Sequence, residues 1–206
     1  MELLNSIPVP VLYAIPIASV VALSQWNRCR SRRQIEKASE TIARIAAEDA
    51  LKEYLKTNRL DVPIEKSDDY TENDFDVAKG VVKLSPDAFG SVDVGSIAYA
   101  LVAGSQAAQN ASDASTLTLV SKLRRLETYG FWLVFCVLSF GIMSSSAPLT
   151  TVGYALAIAV GIVSRLRKSK VRKMNESAKR FAAESPLFAP QIASELQKTI
   201  DATLDA

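Results

Sequence analysis

Few residues of this chain could carry chemistry, and their spacing does not gather them into a site. There is no histidine among 206 residues, which removes the commonest general base, metal ligand and near-neutral pH switch. Cys29 and Cys136 are far apart in sequence, form no Cys-x-x-Cys, and cannot fill a structural zinc site by themselves. The densest set of carboxylates is Asp61, Glu65, Asp68, Asp69, Glu72, Asp74 and Asp76, set against Lys66. A calcium loop would need a glycine at its turn position, and none is present there. The stretch 61–76 is therefore expected to be an exposed acidic loop, with neutralisation of nearby basic clusters as a secondary role. No glycine-rich phosphate loop, dinucleotide fingerprint or Gly-x-Ser-x-Gly elbow occurs. On these grounds the chain is expected not to be an enzyme, with no catalytic, cofactor-binding or metal-ligating residues and no cofactor.

The elements that surround these residues carry far more information. Gly130–Ser164 is a run of thirty-five residues without a charge, broken near its middle by Ser144-Ser145-Ser146-Ala147-Pro148. This pattern predicts a membrane hairpin with its turn at the serines. A second uncharged run, Leu3–Asn27, is followed by Arg28, Arg30, Arg32 and Arg33. Its charge order is opposite to that of a secretory signal, so it is expected to be an uncleaved anchor. Three spans follow, at about 7–26, 130–146 and 149–164. The basic segments 28–33, 122–125 and 165–173 all flank spans, which places the N-terminus outside and the C-terminus on the cytoplasmic or matrix side. The hairpin arms are close to minimum spanning length, and a re-entrant hairpin is the alternative to a full crossing.

The fold class expected is mainly α: an integral membrane protein with about three transmembrane helices and a mostly helical inner-side module. Its parts are an anchor at 1–27, an inner-side segment at 28–128, a hairpin at 129–165 and an amphipathic tail at 166–206. Residues 34–58 are expected to form one amphipathic helix, with Ile35, Ala38, Ile42, Ile45 and Ala46 on its apolar face. Val81, Val82 and Leu84 mark short β-prone pieces, and 96–111 an alanine-rich helix. Ser112 or Asp113 is placed to cap a helix that continues into the second span. In the tail, Val171, Met174, Ala178 and Phe181 share one face. A last helix aligns Phe188, Ile192, Leu196, Ile200 and Leu204, with Pro190 in its first turn.

Small residues at fourfold spacing, Gly153, Ala157 and Gly161, with Ala14, Ala18 and Ala22, are expected to pack helices in lipid. Arg28, Arg30, Arg32, Arg33, Arg165, Arg167, Lys168 and Lys170 are expected to meet lipid headgroups. Ile192, Leu196 and Ile200 are candidates for docking a partner, and Cys29, at the membrane edge, is a candidate acylation site. Asn110 and Asn175 begin Asn-x-Ser triplets on the expected inner side, where glycosylation does not occur. A net charge of +2 excludes a strongly basic nucleic-acid binder.

The expected partners are membrane lipids and other protein subunits or copies of the chain, with no nucleic acid and no small-molecule substrate. The function expected from sequence is a non-catalytic structural or assembly subunit, or scaffold, of a larger membrane complex. A self-assembling pore, holin-like or effector-like in architecture, is one alternative. A membrane-shaping hairpin is the other.

Overall fold

A computed structural model describes residues 9–70 and 72–204, with side chains placed from Gln25 onward. The described part is mainly helical. Its elements are α1 (Val9–Glu40), α2 (Ala47–Thr57), β1 (Ile64–Lys66), β2 (Asp74–Asp76), β3 (Val81–Leu84), α3 (Val94–Met143), α4 (Ala147–Glu184) and α5 (Pro190–Ala202). They divide into two units. The apolar unit comprises 1–28 and 121–168, and the packed unit comprises 29–120 and 169–206.

In the apolar unit, α3 and α4 are joined by a turn at Ser144–Ser146, where Ser145 takes a left-handed conformation with φ 51°. Ser146 N donates to Gly141 O at 2.9 Å, and Thr150 N donates to Ser146 O at 3.1 Å, so the turn leaves few backbone groups bare. Both helices are long and apolar enough to cross a membrane, and 11% of each apolar window is buried. A core helix of a soluble protein would be mostly covered; here Phe131, Trp132, Phe135, Phe140, Ile158 and Ile162 are exposed. These surfaces are compatible with membrane insertion. The anchor expected at 7–26 begins before the described residues. Its backbone belongs to α1 from Val9 on, and the side chains of Ala14, Ala18 and Ala22 lie outside the described part.

The packed unit has a continuous apolar core. Helix α2 buries Ala47, Ala50, Leu51, Tyr54 and Leu55, which fall on one face at helical spacing. Glu48 and Asp49 occupy its first turn and Lys56 its last, as the helix dipole favours. The first part of α3 faces it with Ile97, Ala100, Leu101 and Ala103, all fully buried. At Gly104 a Cβ would lie 2.6 Å from Leu51 Cδ1 and 2.9 Å from Tyr54 Cδ1, so the glycine permits the close approach. From α4, Met174, Ala178 and Phe181 close the core, and Phe181 meets Tyr54 edge to face at a centroid distance of 5.3 Å. The tail face is thus turned inward within this unit.

Two sequence expectations are corrected here. Residues 34–58 do not form one helix, because Thr41–Ala46 leaves the helix and bonds its backbone to 91–94. Ala43 N donates to Val92 O and Ala47 N to Ser91 O, each at 2.7 Å, and Val94 N donates to Thr41 O at 3.0 Å. Ile42, expected on the apolar face, is 71% exposed. The stretch 61–76 is not a plain loop either: β1 and β2 flank β3 in a three-stranded sheet of order β1-β3-β2. Strand β1 runs parallel to β3 and β2 antiparallel, with Phe75 opposite Val82. Alternation explains the acidic pattern, since Asp74 and Asp76 point away while Phe75 enters the core.

Asp113 interrupts α3 with φ −158° and ψ 89° and starts a new helical run. Its carboxylate accepts from Ser115 N at 3.0 Å and from Thr116 Oγ1 at 2.6 Å, the cap anticipated from sequence. Hydrogen bonds from Ser115, and then from Thr116, hold its pKa below the ordinary value.

Candidate functional site

Among the described residues, a shallow surface groove lies where α2 ends and β1 begins. Helix α2 stops with Leu60 N donating to Leu55 O and Arg59 N to Lys56 O, both at 2.9 Å. This closure puts Arg59 in the left-handed region, φ 56°, where glycine is usual. The chain then turns through Asp61–Pro63 into the edge strand β1. The result is a shallow groove of about 430 Å³ lined by Lys52, Leu55, Lys56, Arg59, Leu60, Asp61, Val62 and Ile64. Its lining holds four aliphatic side chains, three cations and one carboxylate, and two of the cations are paired with carboxylates of α2. Lys52 is held by Asp49 at 3.2 Å and Glu48 at 3.6 Å, which raises its pKa. Lys56 makes a longer contact of 4.0 Å with Glu53.

The two sheet edges are finished differently. On β2, Phe75 N donates to Gln106 Oε1 at 3.1 Å, so a side chain of α3 covers that edge. No strand covers β1 on the side away from β3 among the described residues. An edge with no strand beside it, next to aliphatic side chains, suits an extended polypeptide, which would add main-chain hydrogen bonds.

Two carboxylates of the 61–76 stretch, Glu72 and Asp76, are engaged within the fold. Lys83 Nζ lies 3.0 Å from Glu72 Oε1 and 3.2 Å from Asp76 Oδ2. Hydrogen bonds from Ser67 and then Lys83 lower the Glu72 pKa. For Asp76 the backbone N–H of Lys79 acts first and Lys83 second, in the same direction. Asp93 accepts from Ser91 Oγ and Ser96 Oγ at the start of α3. Burial acts to raise its pKa, and the hydroxyl and amide donors outweigh it, leaving the value lowered.

A polar seam lies inside the core. Ser105 Oγ lies 2.7 Å from Val102 O and 3.1 Å from Asn175 Oδ1, two acceptors for its one proton, and Tyr54 OH and Ser177 Oγ share a bond of 2.7 Å. Asn175 is 1% exposed and its Nδ2 has no hydrogen-bond partner. Burial, partly offset by Ser177, raises the Tyr54 pKa.

The residues singled out from sequence fall as follows. Gly153 packs tightly, a Cβ there meeting Leu138 Cδ2 at 2.5 Å, whereas Gly161 faces open space and Ala157 is half-buried. Gly130 and Gly141 also make close approaches, to Val160 and Thr150. They are eleven residues apart, hence on one helix face, a spacing that a search at intervals of four passes over. Leu196 and Ile200 are fully buried, and Ile192 packs on the same core, so the chain itself covers this stripe. Arg28, Arg30, Arg32, Arg33, Arg165 and Lys170 are exposed. Arg167 Nε instead donates to Glu127 Oε2 at 2.6 Å across the base of the hairpin, and Lys168 is half-buried beside it. Cys29 and Cys136 are exposed free thiols. Sequence reasoning missed the groove; the signal for it was the Asn58-Arg59 helix stop followed by Val62-Pro63-Ile64.

The model of a family described as "Putative neutral zinc metallopeptidase" matches residues 11–167, most of the chain. No curated protein and no solved structure matches. The family match overturns two expectations. A chain from a peptidase family points to a possible enzyme, against the expectation of none. It also conflicts with the non-catalytic structural or assembly subunit, and with the pore and membrane-shaping alternatives, because a peptidase handles polypeptides. The zinc in the family's description was then tested against the side chains present. Zinc takes cysteine sulfur, histidine nitrogen or carboxylate oxygen, three or four to a site. The chain has no histidine, and among the described residues no group of three such donors could hold a metal. The residues do not fit a zinc centre.

Proposed function

Because this chain belongs to the family described as "Putative neutral zinc metallopeptidase", we propose that it acts on polypeptides at a membrane surface. The observation that carries this reading is the extent of the match, which runs through the α3–α4 turn as well as the α2–β1 groove. The groove is the surface that receives the polypeptide. Its occupant is an extended segment carrying an acidic side chain for Arg59, the lining cation that makes no ion pair among the described residues, Lys52 and Lys56 being paired with carboxylates of α2. Main-chain pairing with β1 supplies register, and Leu55, Leu60, Val62 and Ile64 accept aliphatic side chains. The strained backbone at Arg59 supports this placement, because such conformations cluster at functional sites.

The apolar unit holds the protein in the bilayer. An uncharged part of α3, Gly130–Met143, rises about 20 Å against a hydrocarbon core of ~30 Å, with the Arg167–Glu127 pair beyond its end. The N-terminal helix makes a third span, and the basic segments 28–33, 122–125 and 165–173 keep the packed unit on the cytoplasmic or matrix side. The exposed arginines and lysines there meet lipid headgroups. Three chain crossings, at 28, 120 and 168, tether the packed unit to the membrane segments.

The test uses detergent-solubilised full-length protein and a labelled, unstructured acidic peptide. Anisotropy should report saturable binding, and mass spectrometry of the same mixture reports any new fragments. Reversing the rim charges with K56E and R59E together should weaken binding by about tenfold or more, the equivalent of ~1.4 kcal/mol. Neither binding nor fragments at millimolar peptide would overturn the reading.

A further inference from the structure

The family's description and this chain's donor set disagree, and the disagreement extends through the fold. A zinc centre draws on histidine, thiolate and carboxylate. Histidine is absent from the whole sequence. Of the two thiols, Cys29 belongs to the packed unit and Cys136 to the apolar one, and both are exposed. The best-placed carboxylates already have other work. Lys83 neutralises Glu72 and Asp76, hydroxyls and amides at helix starts hold Asp93 and Asp113, and Arg167 holds Glu127. In the packed interior the buried polar seam is made of Ser105, Asn175, Tyr54 and Ser177, which are hydroxyls and one amide. Beside them Gly104 lets Leu51 and Tyr54 approach so closely that the space is filled with carbon.

We infer that this chain holds no resident zinc ion, and that the Ser105–Asn175 and Tyr54–Ser177 pairs fasten the interior of the packed unit. Asn175 joins α4 to α3, and Tyr54 joins α2 to α4, so the three helices are linked by direct bonds between neutral groups. Such bonds need no metal and hold at any pH where the protein folds. The inference concerns the metal and rests on family membership; action on polypeptides is measured separately.

The experiment takes the full chain, produced in zinc-supplemented medium without a histidine tag and purified in detergent. Elemental analysis measures bound zinc, and thermal unfolding is followed with added zinc and with a chelator. The expected result is zinc near background and a melting temperature that neither addition moves. The C29S/C136S double variant should behave in the same way. Y54F, which removes the hydroxyl of the Tyr54–Ser177 bond and keeps the ring, should lower the melting temperature by about 3 °C. Half an equivalent of zinc or more per chain surviving dialysis, or a chelator-induced fall in melting temperature, would overturn the inference. So would a Y54F protein that melts with the wild type. Failure to bind polypeptide would leave these readouts untouched, so the two proposals fail independently.

Discussion

The apolar and packed units solve the helix-packing problem with opposite materials. In the apolar unit, close approach comes from glycines: Gly130 against Val160, Gly141 against Thr150 and Gly153 against Leu138. Large side chains such as Phe131, Trp132 and Ile158 face outward. The packed unit turns its large side chains inward, burying Leu51, Tyr54, Leu84, Leu101, Leu196 and Ile200. In water, removal of apolar surface drives such packing. In lipid that force is absent between helices, and small residues that admit backbone contact replace it. Helices α3 and α4 each contribute to both units, so one helix changes its packing rule along its length.

The sharpest way to break this comparison is to hollow out the packed unit. Tyr54→Ala removes a fully buried ring, its edge contact with Phe181 and its bond to Ser177. It should cost about 3–5 kcal/mol, read by chemical denaturation with circular dichroism. An unchanged midpoint would mean that the core is not organised around α2.

In the apolar unit the contrast is between two glycines of one stripe. Gly153→Leu must displace Leu138 and should destabilise the hairpin by about 1–3 kcal/mol. Gly161→Leu meets open space and should stay within about 0.5 kcal/mol. Steric-trap or detergent unfolding would compare them, and equal effects would remove the distinction.

A pH titration tests the sheet edge of the packed unit. Glu72 and Asp76 have lowered pKa values in the folded state, so their contribution is present above the ordinary carboxylate range. It is lost as pH falls through that range towards the depressed folded values. Lys83 is shifted upward, so its contribution is complete below its ordinary value of 10.5 and fades as pH rises through the raised one. Lys83→Met should therefore flatten the acid limb of the stability profile. A limb unchanged in Lys83→Met would assign the acid sensitivity elsewhere.

A modest effect, with a change of sign, is expected at Arg59. Arg59→Gly relieves a left-handed backbone and should stabilise the packed unit by up to about 1 kcal/mol, while weakening capture of an acidic peptide. Loss of stability without loss of binding would mean that the residue serves α2 and not the groove.

Much of this organisation was legible in the sequence, for local reasons. The uncharged run with its serine-proline break marked the hairpin, Asp113 announced a helix start, and Val81, Val82 and Leu84 announced a strand. The break at Thr41–Ala46 was hidden because its backbone partners, Ser91–Val94, lie fifty residues away. Strands β1 and β2 were hidden by charge: a three-residue strand bearing two aspartates around one phenylalanine reads as loop until its partner is known. Gly153 and Gly161 looked equivalent because spacing by four or eight does not reveal which side meets a neighbouring helix. The stripe Ile192, Leu196 and Ile200 announced a buried face without naming its partner, which is the chain itself. Peptidase membership was illegible because the residues that usually announce zinc chemistry are missing, while likeness to a family is spread over many unremarkable positions.

The central claim is that the β1 edge and its adjoining groove receive a polypeptide. Hydrogen–deuterium exchange on the membrane-reconstituted protein, with and without saturating acidic peptide, tests it directly. New protection concentrated in Ile64–Lys66 and the end of α2 is the expected result. Protection that leaves these residues unchanged while appearing elsewhere would contradict the account.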